Sequence, residues 1–593
     1  MHAPIDPGTG AKASRRRALG SHHVPDAAVP WLRRLARFWG AIGFLGWLFW
    51  RLRQGIPSAG EEGAWEASVE LAFWFLAVIG YVLALEWEIV GATVMAMSGA
   101  GMALWVSQFN EPPFGLVILL LFFAPAAIYW TIWQRYKPLW SVATLGALLL
   151  VILVTGSVGA VRVYDNLLGP THPSSSAERL PDSPVTWVWS GAVTSTSAEV
   201  RARIDGDPSR ARLAVSTRVD FEDALYFDGV TASDDDQGLV VFSVDGLEPD
   251  TTYRYAVEVG GSLDMIRTGE FGTFGDGEWD FVLASASCVR TGSNAAVFDT
   301  MREIDPDLFV MYGDLHYGDV ATNDRDRIRE LYDGIHEQPG PAAFYRSVPW
   351  DYVWDDHDFG PNDADSTSDS RPAAQTVYRE VVPHYELARD GQQPIHHAFT
   401  IGRARVIVTD TRSARSPKED PDGPMKTMLG ADQLHWFLEE LAAADEVYPL
   451  IIWVNSVPWI APADDGVDHW GGYDHERRLI ADFIADRDID GVLMLAGDAH
   501  MVAIDDGTNS DYSTDGSGAG FPVLQASALD RPGAEKGGPY SHGAFPGAGR
   551  FGIVEVHDAG DSLEITLSGR TWDGEELASL RYTIDADEEA LAW

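Results

Sequence analysis

The stretch IDPDLFVMYGDLHYGD, residues 304–319, sets the apolar run DLFVMY directly against a Gly313-Asp314 pair. A run this short, bounded by turn residues, reads as a buried strand. A polar residue at its end then lies on the rim of an open sheet, where α/β folds carry their sites. The same signature recurs on both sides of it. FVLASAS (281–287) ends at Cys288; WDYVW (350–354) runs into Asp355-Asp356-His357-Asp358; RVIVT (405–409) ends at Asp410; LIIWV (450–454) ends at Asn455; GVLML (491–495) is followed by Gly497-Asp498-Ala499-His500. One such ending is an ordinary solvated carboxylate. Six along one rim point to a shared metal site in an α/β layer fold.

The donor types say which metals such a rim suits. Asp314, Asp356, Asp358 and Asp498 repel one another when crowded, and bound cations remove that repulsion. Carboxylates with Asn455 or Asn362 are hard oxygen ligands, fit for Ca²⁺, Mg²⁺ or Mn²⁺, whereas a Cys288 thiolate and a His500 imidazole suit a transition metal. A mixed cluster is expected. The loop 505–518, rich in Asp, Gly and Ser, lacks complete EF-hand ligand spacing and reads as a solvated insertion.

Six blocks carry a more specific likeness: SCVRTGSN (287–294), IDPDLFVMYGDLHYGD (304–319), VPWDYVWDDHDFGPND (348–363), VTDTRSAR (408–415), MLGADQLHWFLEEL (428–441) and AGDAH (496–500). In order and spacing they resemble the alkaline phosphatase D (PhoD-like) family of metallophosphoesterases. The resemblance implies an αββα metallophosphoesterase sandwich over residues 279–593, a preceding β-sandwich, and a cluster of one Fe³⁺ with Ca²⁺ ions. It implies Cys288 and Tyr317 as Fe³⁺ ligands and Asp314 as a bridge, with Asp356, Asn362, Asp498 and His500 completing the cluster. His357 or Asp358 would orient the leaving group. Arg412 and Arg415 would meet phosphate oxygens; His316 stands where many members carry other residues and would replace a phosphate contact supplied elsewhere. The implied activity is hydrolysis of a phosphoester, monoester or diester, by metal-activated water; an inactive binding or sensor protein on the same fold is the alternative.

Upstream, Ala198, Val200, Ala202 and Ile204 alternate with Glu199, Arg201, Arg203 and Asp205, a period of two that makes a half-buried strand. With VTWVWS at 185, ARLAVS at 211, GLVVFSV at 238 and the alternating Tyr253 to Val259, residues 184–275 read as a small all-β sandwich resembling fibronectin type III modules. Residues 164–183, rich in Pro and Ser, read as a linker.

Before that the character changes. The chain of 593 residues holds 43 Lys+Arg against 88 Asp+Glu, a net charge of −45, which argues against duplex-DNA binding through a basic face. The imbalance lies almost wholly after residue 170. The single cysteine rules out an intramolecular disulfide framework. Ile89 to Phe109, Phe114 to Gln134 and Leu139 to Val161 carry no charge over lengths that span ~30 Å of hydrocarbon. Leu71 to Leu85 is a fourth expected span, and Phe38 to Trp50 fits a fifth or an interfacial helix. An α-helical membrane region of four to five helices over 38–163 is therefore expected. Lys12, Arg15 to Arg17, Arg33, Arg34 and Arg37 before it, with Arg135 and Lys137 inside, give residues 1–37 a cytoplasmic location by the positive-inside rule. The expected location is the cell membrane, multi-pass, with the C-terminal domain outside.

Overall fold

The computed structural model describes residues 26–54, 64–106, 112–134, 173–205, 208–232, 238–388, 391 and 393–586. The chain divides into two compact units, Met1–Val163 and Tyr164–Trp593.

In the first unit the apolar stretches form helices at Val29–Gln54, Ala64–Leu83, Glu88–Val106 and Pro112–Gln134. Phe44, Trp47, Ala77, Met95, Met102, Phe122 and Tyr129 pack between them. Gly91 allows the second and third helices to meet backbone on backbone: a Cβ there would lie 2.1 Å from the Ala84 nitrogen. Phe75, Leu76, Ile79 and Val82 face outward.

The expected membrane spans need correction. Among the described residues no helix is long and apolar enough to cross a membrane. The helix Ala64–Leu83 carries Glu66 and Glu70 within its first two turns, which shortens its uncharged part. Phe38 to Trp50 lies inside the longer helix Val29–Gln54, which also carries Arg33, Arg34 and Arg37. The fifth expected span, Leu139 to Val161, and the basic residues 1–25 lie outside the described residues. Integral membrane location thus has no support from these helices.

The second unit is a mixed α/β structure built on two facing sheets. In the first, Phe281–Ala286, Leu308–Met311 and Trp350–Tyr352 run parallel at the centre. Phe551–Asp558, Ser562–Arg570 and Glu576–Asp585 extend one side antiparallel. In the second, Ala404–Val408, Leu450–Asn455, Val492–Ala496 and Pro522–Ala526 are parallel neighbours. Their side chains divide with a period of two. Val406, Val408, Ile452, Val454, Leu493 and Leu495 enter the core shared with the first sheet. Ile407, Ile451, Trp453, Val492 and Met494 pack on the other face, against the helices Ala431–Asp445 and Asp474–Arg487. A one-residue slip of any strand would exchange these faces, so the pattern fixes the register. On the outside of the first sheet, Phe298, Met301, Phe344 and Tyr345 of the helices Val297–Ile304 and Pro339–Ser347 complete the helix–sheet–sheet–helix layering.

Residues 185–272 form two layers of strands, as the alternation predicts. One layer continues the first sheet, however: Val185–Gly191 pairs parallel with Trp350–Tyr352. Trp187 Nε1 donates to Asp333 at 2.7 Å, and Tyr385 Oη to the Val193 carbonyl at 2.8 Å. The described part of the expected linker is also docked. Ser175 Oγ and the Ser176 amide both donate to Asp299, at 2.8 and 2.6 Å.

Candidate active site

The strand ends converge through an unusual backbone. Cys288, Asp314, Asp498 and His500 all adopt left-handed conformations, with φ of 65°, 55°, 63° and 53°. Non-glycine residues rarely do so, and such strain persists where the surroundings impose it. The glycine before each aspartate is required by crowding. A Cβ on Gly313 would lie 2.4 Å from Asp355 Cβ, and one on Gly497 would lie 2.8 Å from Ser287 Oγ.

Asp314 is the centre. Its Oδ2 accepts from Tyr317 Oη at 2.8 Å and lies 3.5 Å from Cys288 Sγ; its Oδ1 is buried and has no hydrogen-bond partner. Ligand atoms of Cys288, Asp314 and His500 fall within 4.8 Å of one another, as do those of Asp314, Asp356 and His357, of Asp314, Asp355 and Asp498, and of Asp356, Asp363 and Asp468. Tyr317 Oη also lies 3.3 Å from His500 Nε2. Sulfur, phenol and the His500 imidazole gather around Asp314 in one group, while Asp355, Asp356, Asp498 and the His357 imidazole meet it in the others.

The electrostatics favour bound cations. Burial pushes the Asp314 carboxyl well above its ordinary range, His357 opposing and Asp356, Asp358 and Asp498 adding to the rise. Burial raises the Cys288 thiol well above its usual value, with Asp314 and Asp498 reinforcing it. The Tyr317 phenol rises for the same reason, aided by Asp314 and Cys288. His500 is pushed well below the imidazole value by burial, then by Lys536 and Arg531, so it is neutral and able to ligate. A cation reverses the penalty on thiol, phenol and carboxyl together. The residues therefore fit the mixed metal cluster: a thiol, a phenol and a neutral imidazole beside a partnerless carboxylate oxygen suit a transition ion, and the carboxylate groups suit a hard divalent ion.

Other expected residues stand differently. Asp358 accepts from the amides of His316 at 3.0 Å and Asp355 at 3.1 Å, so its carboxylate braces the ligand loops. His316 is fully buried edge-on to Tyr332, and burial lowers its pKa. His357 pairs its Nδ1 with Asp319 at 2.5 Å and lies against the Tyr317 ring. Burial opposes its charge, but Asp356, Asp314 and Asp319 outweigh burial and raise its pKa well above the usual value. Arg412 is committed: Nε donates to Asp355 at 2.5 Å, and Nη1 and Nη2 to Asp468 at 3.1 and 2.8 Å. Arg415 donates to Tyr473 Oη at 2.7 Å and Asp468 Oδ1 at 2.6 Å. Asn362 is exposed, and its neighbour Asp363 joins Asp356 and Asp468 instead. Asn455 accepts from Trp470 Nε1 and the Val457 amide and donates to Met494 Sδ.

Asp355, Asp363, Asp468, Asp319 and Lys536 were not singled out in the sequence. Asp355 and Asp363 sit inside a quoted block, one residue from their expected counterparts. Lys536 carried a signal in its rarity, as one of only five lysines.

Residues 281–538 match the model of the PhoD-like phosphatase family. Alkaline phosphatase D of Bacillus subtilis (strain 168) is 25% identical over 303 residues, 43% of this chain and 52% of the relative. The chain thus spans about half the length of that curated relative. A solved structure of PhoD is similar at a TM-score of 0.57 and 19% identity, over 69% of this chain and 92% of that one. The purple acid phosphatase PPD1 of yellow lupin (Lupinus luteus) seeds is similar at 0.50 and 14%, over 69% of this chain and 76% of that one. Both likenesses are of fold. The stretch similar to PhoD-like phosphatases begins at the strand that delivers Cys288 and ends just past Lys536, so it contains every side chain of the candidate metal site.

Proposed function

We propose that the protein is a metal-dependent phosphoester hydrolase, acting on monoesters, diesters or both. The observation that carries this reading is the buried, partnerless Asp314 Oδ1 at the meeting point of three ligand groups, within the stretch that matches the phosphatase family. Cys288, Tyr317 and His500 would hold Fe³⁺ beside Asp314, and Asp355, Asp356 and Asp498 would hold Ca²⁺. Bound there, the ions supply Lewis-acid charge and lower the pKa of water for in-line attack on phosphorus. His357, with Nδ1 taken by Asp319, keeps Nε2 to hold a proton for the leaving oxygen. Asp358 acts through the backbone it braces, the amides of His316 and Asp355.

Hydrolysis of p-nitrophenyl phosphate and its bis-ester, with metal analysis of the same sample beside Cys288→Ala, tests this. The expected result is activity with bound iron and calcium, lost in the variant. A folded, metal-free and inactive protein that no added metal restores would favour the binding-module alternative.

We also propose that the first unit attaches the protein to the cell membrane, with catalysis outside the cytoplasm. Its support is the outward apolar row Phe75, Leu76, Ile79 and Val82, too much surface to leave in water, and the basic residues that precede it. Digestion of intact cells with an external protease should remove the acidic part; full protection would refute that orientation.

A further inference from the structure

The segment 527–538, which follows the strand Pro522–Ala526, lies across the loops that carry the ligands. Its register is set by main-chain hydrogen bonds: the Leu529 amide donates to the Ser287 carbonyl at 3.0 Å, Asp530 to Cys288 at 3.3 Å, Ala534 to His500 at 3.1 Å and Gly538 to Ile460 at 2.7 Å. Asp530 Oδ2 is further held by Ser293 Oγ at 2.7 Å. Two cations project from the segment toward the cluster. The Arg531 guanidinium stacks 3.8 Å over the ring of Tyr317, and Lys536 Nζ donates to Asp498 Oδ1 at 2.9 Å. The Lys536 side chain is only 10% exposed. Its charge reaches Asp356, His469 and His500 as well.

A phosphoester entering this site brings one or two negative charges toward a crowd of carboxylates in a chain of net charge −45. Of the arginines expected to receive it, Arg412 is clamped by Asp355 and Asp468, and Arg415 is tied to Asp468 with only its buried Nη1 left over. We propose that Lys536 is a substrate-binding residue, whose ammonium holds a non-bridging oxygen of the phosphoryl group. Lysine suits this task, being a point charge with three donors on a flexible stem, so it serves Asp498 and an incoming anion without a fixed fork geometry. A cation held at Asp498 would weaken that carboxylate's pull on the ammonium. The inference rests on the hydrolase reading above and adds the group that holds the substrate.

The test uses the full-length chain loaded with iron and calcium, as wild type, Lys536→Met and Lys536→Arg. It reads metal content, KM and kcat for p-nitrophenyl phosphate, and calorimetric binding of inorganic phosphate. The expected result for Lys536→Met is unchanged metal content, with KM and the phosphate Kd both raised about ten- to a hundredfold, the range for a lost charge-assisted hydrogen bond. Lys536→Arg should recover part of the loss. Unchanged phosphate affinity and KM in Lys536→Met would overturn the assignment, as would loss of metal from that variant, which would make the lysine a support of the cluster only. Failure of the loaded wild type to bind phosphate or hydrolyse ester would overturn the hydrolase reading itself, a result separable from a silent lysine.

Discussion

Asp314 and Asp410 close two strands with the same sequence signature, an apolar run ending in a polar residue, yet they do opposite work. Asp410 lies at the end of the second sheet's Ala404–Val408. Its carboxylate accepts from Trp354 Nε1, the amides of Arg412, Ser413 and Ile395, and Ser413 Oγ, at 2.6–3.0 Å. It is a lock, satisfied on both oxygens. Asp314 keeps one buried oxygen without a partner and a left-handed backbone. A buried carboxylate oxygen costs free energy unless something meets it, so Asp314, with Cys288, Tyr317 and His500 beside it, is placed to receive a cation, whereas Asp410 is scaffold. Asn455 is likewise hydrogen-bonded, to Trp470, Val457 and Met494.

This contrast is open to substitution. Asp314→Asn should reduce kcat by about 10³-fold or more, several kcal/mol of lost charge stabilisation, with little change in the urea midpoint. An active Asp314→Asn would erase the distinction. Asp410→Ala should do the reverse, lowering stability by about 3 kcal/mol in urea unfolding because buried donors lose their acceptor, while the folded fraction keeps its metal. If Asp410→Ala lost metal at unchanged stability, the lock would be a ligand.

The histidines extend the comparison at a smaller scale. His336 is stacked on Trp187 in the aromatic core, and burial, helped by Arg346, brings its pKa down to about 3. The unfolded chain takes up that proton first, near the ordinary imidazole pKa of ~6.5. The folded state therefore keeps its full stability above pH ~6.5 and loses it as the pH falls toward 3, at about 1.4 kcal/mol per unit, roughly 2 kcal/mol by pH 5. His336→Phe should keep the stack and remove this histidine's share, about 1.4 kcal/mol per unit, from the slope between pH 7 and 5, leaving the shares of His384 and His469 in place. An identical slope in the variant would assign the acid sensitivity elsewhere.

Much of the site was legible because strand ends are easily read: Cys288, Asp314, Asp356, Asp498 and His500 are where the apolar runs place them, and Tyr317 reaches Asp314. What the pattern could not resolve was orientation within a polar run. In Asp355-Asp356-His357-Asp358 a four-residue helix begins at Asp356, which turns Asp358 back onto the Asp355 amide and leaves Asp355 Oδ2 facing the cluster. Asp468 and Lys536 sit on irregular segments with no periodicity to locate them. The strands at 185–272 were legible, but their sheet's continuation into the first sheet was not, since it depends on the single parallel register pair Gly191 with Trp350.

Metal analysis of the purified full-length wild type, Asp314→Asn and Asp410→Ala, side by side after loading with iron and calcium, tests the central claim most directly. The account predicts the same metal content in wild type and in folded Asp410→Ala, and a clear loss in Asp314→Asn. Equal metal in wild type and Asp314→Asn would contradict it.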